Sequence, residues 1–162
     1  MSLVPVNVEI DNTQGEQRIA RIRGRFAKPQ EALQGDAFRA LVADAMRKQF
    51  ASRGRWGGNQ WARLKPATVR RKMMMGVYRK GTLRRTDRLY RAATHPGESG
   101  DSQIRLFKNK IRFDLRVEYA SAHQGGTKRM VAREIIPDSM PEEFIGKLRN
   151  IVRGYLIGGR VG

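Results

Sequence analysis

The sequence predicts an α+β fold, a small antiparallel β-sheet packed against two main amphipathic helices, with a long basic loop or arm between them. Three observations carry this expectation. Apolar side chains recur at helical spacing near residues 31–52 and again after Pro141. Residues 111–119 alternate strictly between apolar and charged. Residues 53–65 follow neither period and hold three glycines and both tryptophans. The 162 residues suit one domain with a single core, and no internal repeat or second boundary interrupts them. The domain is therefore drawn over 1–162, with a basic arm at about 53–85 and a short tail at 157–162.

Val4, Val6, Val8 and Ile10 alternate with Pro5, Asn7 and Glu9, which predicts a strand with one buried face, at a sheet edge or beginning at Pro5. Asp11 to Gly15 reads as a turn, and Arg18 to Phe26 as either a second short strand or a loop. From Glu31 to Ser52, Leu33, Phe38, Leu41, Val42, Ala45 and Phe50 share one helical face, with Arg39, Asp44 and Lys48 opposite and Gly54 as the stop. Pro66 opens a short helix through Met75, because proline fits a first helical turn. Residues 76–83 read as a loop. Thr86 is placed to cap a short helix over Asp87–Ala93, with Asp87 at its positive end.

Ile104 and Leu106 precede Lys108-Asn109-Lys110, a hairpin turn, and the alternating run to Tyr119 is the returning strand. Gly125-Gly126 breaks it, and Met130 to Ile136 suits a last strand. Ser139 and Glu142 have capping-box spacing around Pro141. The helix that follows carries Phe144, Leu148, Ile151, Val152 and Tyr155 on one stripe and ends at Gly158-Gly159.

Composition narrows the function. Apolar residues make up 40% and charged residues 30%, as in a folded soluble protein. No apolar run approaches the ~20 residues that span a bilayer, so no membrane partner is expected. Met1 to Pro5 lacks the pattern of a signal peptide. Without cysteine there are no disulfides, thiolate metal sites or cysteine nucleophiles. The net charge is +18, and it is unevenly placed: Arg53 to Arg91 hold 13 Lys and Arg against one acid, Asp87. Such a surface attracts polyanions, whether nucleic acid or acidic protein.

Catalytic chemistry finds little support. The only histidines are His95 and His123, too few for a metal cluster. No G-x-S-x-G turn and no phosphate-binding G-x-x-x-x-G-K-[ST] loop is present. Glu142 and Glu143 are explained by the positive end of their helix. No enzyme activity and no cofactor are expected.

The middle of the chain resembles the phage virion morphogenesis family, the Mu-like group that includes tail-completion proteins. Three blocks carry the resemblance: Gly54-Arg55-Trp56 followed by Trp61-Ala62-Arg63-Leu64-Lys65-Pro66-Ala67-Thr68 and Lys72; Leu83-Arg84-Arg85-Thr86-Asp87-Arg88-Leu89; and Tyr119-Ala120-Ser121-Ala122-His123-Gln124-Gly125-Gly126 with Val131-Ala132-Arg133 after it. They stand in the family's order across roughly 35–155. Asp87 replaces the usual glycine of the second block, and Glu134 the proline after Ala-Arg. The resemblance implies a structural protein of a tailed-phage virion, acting in tail completion or head–tail joining. It implies a homo-oligomeric ring, commonly a hexamer, at the neck or head-proximal tail end beside other neck and tail proteins. The chain would lie in the host cytoplasm during assembly.

Within that frame the basic segment is the expected subunit or partner interface, through Arg53, Arg55, Trp56, Trp61, Arg63, Lys65, Arg70, Arg71, Lys72, Arg79, Lys80, Arg84 and Arg85. Its bland alternative is that Trp56 and Trp61 fold back over helix 31–52. Met73-Met74-Met75 reads either as an adaptable docking patch or as a core Met74 with incidental neighbours. His123, Gln124 and Arg133 are expected to structure a loop or a subunit contact, and His95 to be a turn residue. Arg and Lys lining a ring lumen would hold genomic DNA through phosphates without reading sequence, although acidic protein neighbours suit at least half of the charge better. The alternative from another class is a stand-alone, non-sequence-specific nucleic-acid-binding protein with Trp and Tyr stacking on bases.

Overall fold

Helix α2, Asp36–Ala51, is the axis of the molecule. Phe38, Leu41, Val42, Ala45, Met46 and Phe50 are all buried along it, which makes it an apolar stripe enclosed by neighbours. The computed structural model describes residues 13–98, 100–107 and 110–158. The strand expected over 4–10, the first residues of the turn at 11–15, the hairpin turn residues 108 and 109 and the end of the C-terminal tail lie outside these.

The architecture is α+β, six α-helices and one two-stranded antiparallel sheet among the described residues. Helix α1, Thr13–Ala27, occupies the stretch expected as a turn followed by a strand or loop. Ile19, Ile22 and Phe26 recur at i, i+3 and i+7, so the helical period decides over the short alternation Arg21-Ile22-Arg23. The helix expected over 31–52 divides in two. Pro29–Leu33 is a 3₁₀ turn, and Gly35, in an extended conformation, separates it from α2.

Helix α2 ends in a Schellman motif. The Gly54 amide donates to Gln49 O at 2.9 Å and the Arg53 amide to Phe50 O at 3.2 Å. Both residues are left-handed, with φ of 86° and 54°. Gly54 is irreplaceable for a second reason: a Cβ there would collide with Asn59 O and the Trp61 indole.

Helices α3, Pro66–Met74, and α4, Arg88–Thr94, follow. Thr86 does not cap α4. The N-cap residue is Asp87 in a left-handed conformation, and no side chain caps the helix. The Asp87 carboxylate instead accepts from Lys80 Nζ and Arg84 Nε, each at 2.9 Å. Those bonds, Lys80 first and then Arg84, hold its pKa below the usual aspartate value.

Strands β1, Ser102–Phe107, and β2, Lys110–Leu115, pair antiparallel from Ser102↔Leu115 to Phe107↔Lys110. Ile104, Leu106, Phe113 and Leu115 pack half-buried against the core. The strand predicted to Tyr119 stops at Leu115. The backbone turns at Val117, whose carbonyl accepts from the Ala120 amide at 2.8 Å, and enters helix α5, Ala120–Gly125. Gly125-Gly126 thus closes a helix and does not break a strand. No strand forms over 130–136; only an isolated bridge joins Thr127 and Met130.

Helix α6, Glu142–Gly158, forms where its apolar stripe predicted, and it packs against α2. The capping-box bond from Ser139 is not formed among the described residues. At the start of α6 the Pro141 carbonyl accepts from Phe144 N at 2.9 Å and Ile145 N at 3.2 Å. Glu143 bridges Lys48 on α2 and Lys147, which hold its pKa down to about 2. At the other end the Tyr155 hydroxyl donates to Glu31 Oε2 at 2.6 Å. No described helix is long and apolar enough to cross a membrane.

Candidate interaction surface

The expected interface segment divides into an inner and an outer half. The inner half is residues 53–65, which fold back onto α2 and do not form an arm. Trp61 is 5% exposed and stands edge-on to Phe50, 5.4 Å between centroids. Its indole Nε1 donates to Glu134 O at 2.8 Å. Trp56 is half-buried against Phe144. The two tryptophans expected to reach a partner are therefore held by this chain's own core. Tryptophan buries a large apolar area; the Trp56 Nε1 is buried without a partner among the described residues, whereas Trp61 finds the one acceptor its N–H needs.

That acceptor belongs to a hub at residues 133–136. Glu134 O takes a second bond from Gln49 Nε2 at 2.9 Å, while Gln49 Oε1 accepts from the Gly57 amide at 2.9 Å. Gln124 Oε1 accepts from the amides of Ile135 and Ile136 at 2.9 and 3.0 Å, and its Nε2 donates to Ile136 O at 2.7 Å. The buried Arg133 reaches the carbonyls of Ala62 and Arg63 at 3.3 and 3.4 Å, and its own amide donates to His123 O at 2.7 Å. This explains why 130–136 is not a strand: its backbone groups are satisfied by side chains from α2, the 54–61 loop and α5.

Gln124 and Arg133 thus hold the 133–136 segment against the 54–63 loop and α5. His123 sits half-buried against Tyr119, with Nδ1 buried and unpartnered among the described residues. Burial, with Arg133 nearby, pulls its pKa below the ordinary 6.5. Gln49 went unnoticed in the sequence. Its signal is a lone amide side chain on the otherwise apolar face of α2.

The outer half is α3 and the 3₁₀ turn Tyr78–Lys80. The main packing partner of α3 is this turn. Lys72, expected on the partner surface, is instead the internal brace. It is 7% exposed, and its ammonium donates to Gly81 O. Desolvation draws its pKa down, with Asp87 opposing the shift.

Around this brace Arg70, Arg71, Arg79 and Lys80 face solvent with Tyr78. Met73, Met74 and Met75 are 55%, 89% and 45% exposed, so Met74 is not a core residue. Arg53, Arg55, Arg63, Lys65 and Arg85 are exposed as well, whereas Arg84 is half-buried over the Tyr90 ring at 3.9 Å. His95 is the C-cap residue of α4. Among the described residues no three His, Asp or Glu cluster in a way that would hold a metal ion.

Comparisons with protein-family models, with curated proteins and with solved structures find no match to this chain.

Proposed function

We propose that this chain is a structural protein of a tailed-phage virion, acting in tail completion or head–tail joining as one subunit of a ring at the neck or head-proximal tail end. One observation carries the reading. The first and third of the blocks that resemble the virion morphogenesis family, far apart in sequence, meet at a single hub: Trp61 and Gln124 bind the same 134–136 backbone that Arg133 ties to Ala62 and Arg63. These residues hold the chain's own scaffold together, which supports a structural role over a catalytic one. The basic, methionine-tipped projection on that scaffold then serves docking, because exposed Arg and Met are suited to subunit contacts. No catalysis is invoked.

The second reading, a stand-alone nucleic-acid-binding protein, draws on the exposed basic face and Tyr78. It is weakened by the tryptophans. Base stacking needs an open ring face, and Trp61 has none to offer.

The test is genetic. Removing the gene from its phage genome should leave heads and tails that are assembled but unjoined, or tails of aberrant length, in electron micrographs. Normal particles that lack the protein would refute the proposal.

A further inference from the structure

The hollow between α1 and α6 belongs to neither half of the surface above. Phe26 of α1 and Ile145, Leu148, Val152, Leu156 and Ile157 of α6 line an open groove of about 490 Å³. Phe26 is 63% and Ile157 61% exposed, and Ile19, two turns before Phe26 on the same face, is 51% exposed. No described side chain of α1 is buried. The end of the helix is tied down by Arg25 Nη1, which donates to the carbonyls of Leu156 and Ile157, each at 3.3 Å. Among the described residues, little covers the apolar face of α1, as on surfaces that await a partner.

The charges of the groove select the partner. Both ionisable residues that line it are arginines, Arg149 and Arg153, and no carboxylate does. Arg149 pairs with Glu142, while Arg153 makes no ion pair among the described residues. The stripe from Ile145 to Ile157 is about 18 Å long, three to four helical turns.

We infer that this groove docks an amphipathic helix of a partner protein, its apolar face flanked by Asp and Glu. Helix-in-groove recognition supplies apolar anchors at i, i+3, i+4 and i+7, and the acidic flanks meet Arg149 and Arg153. The methionine patch of a second copy fits poorly. Its exposed methionines come with Arg70, Arg71, Arg79 and Lys80, which would meet the two arginines of the groove as like charges. The inference goes beyond the ring assignment and does not depend on it.

The probe is a fluorescein-labelled synthetic peptide of about 15 residues with leucines at helical spacing and glutamates between them. Its controls replace every leucine by serine or every glutamate by lysine. Anisotropy is read against the full chain, Phe26→Ala and the double variant Arg149→Glu/Arg153→Glu, each checked for wild-type circular dichroism. The Leu/Glu peptide should bind at least about tenfold tighter than the serine control, and Phe26→Ala should lose about tenfold. The double variant should release the acidic peptide and take the lysine one.

Equal binding of the leucine and serine peptides would mean general attraction to a cationic protein and would overturn the inference. So would an unchanged affinity in Phe26→Ala, or self-association that Phe26→Glu abolishes while no peptide binds.

Discussion

Residues 53–65 and 66–81 read alike in the sequence, both basic and both dotted with large apolar side chains, yet the chain uses them in opposite ways. In the first, Trp61 enters the core and its N–H finds Glu134 O. In the second, Lys72 turns inward as a brace while the methionines and arginines around it face water. The difference lies in what each side chain can satisfy. An indole needs one acceptor, and the hub carbonyl provides it. The guanidinium groups of Arg70, Arg71 and Arg79 have no cluster of carbonyls such as the one that holds Arg133, so they stay in water, and the methionines beside them are carried outward on a short helix with little else to pack against. Charge density alone therefore does not mark an interface. A basic run becomes a candidate surface only where its apolar members are also left uncovered.

Substitutions at the two regions should separate them. Trp61→Ala should cost about 3–5 kcal/mol in chemical denaturation, the range for deleting a buried aromatic; a cost below ~1 kcal/mol would place Trp61 outside the core. Gln124→Ala strands the amides of Ile135 and Ile136 and should cost about 2–3 kcal/mol, read in the same way. A change within ~0.5 kcal/mol would show that the hub is not held by this amide.

A smaller effect comes from His123, whose folded pKa lies below the ordinary 6.5. The unfolded chain then binds the proton more readily, so stability is fully present above about 6.5 and declines as pH falls from there toward the folded value. His123→Gln should flatten that part of the melting-temperature profile, and an identical slope in both proteins would assign it elsewhere.

The smallest change in stability, within ~0.5 kcal/mol, is expected for Arg70→Glu/Arg71→Glu/Arg79→Glu. That variant should nonetheless elute from heparin at clearly lower salt than Arg18→Glu/Arg21→Glu/Arg23→Glu, which changes the net charge equally on α1. Equal elution would dissolve the distinction between the projection and the rest of the basic surface.

Much of the body was legible in the sequence. The stripes of α2 and α6, the proline start of α3 and the β1–β2 hairpin follow from local period and turn chemistry. The misreadings share a cause, in that alternation over a few residues does not say whether a strand partner exists. Residues 116–119 continue the pattern of β2 but turn into α5. Residues 130–136 are bound by side chains from elsewhere, and Arg21-Ile22-Arg23 alternates inside a helix. At the candidate surface, the exposed arginines stand where the sequence put them. The burial of Trp61 and Lys72 depended on acceptors 73 and 9 residues away, Glu134 O and Gly81 O, which no local pattern announces. The α1–α6 groove was hidden because α1 itself was not recognised.

The proposed role is assembly, so the most direct measurement is sedimentation velocity of the purified full chain at micromolar concentration and physiological salt, with and without duplex DNA. A discrete closed ring, formed without DNA, is the predicted result. A monomer at every concentration that binds duplex DNA with sub-micromolar affinity would contradict it.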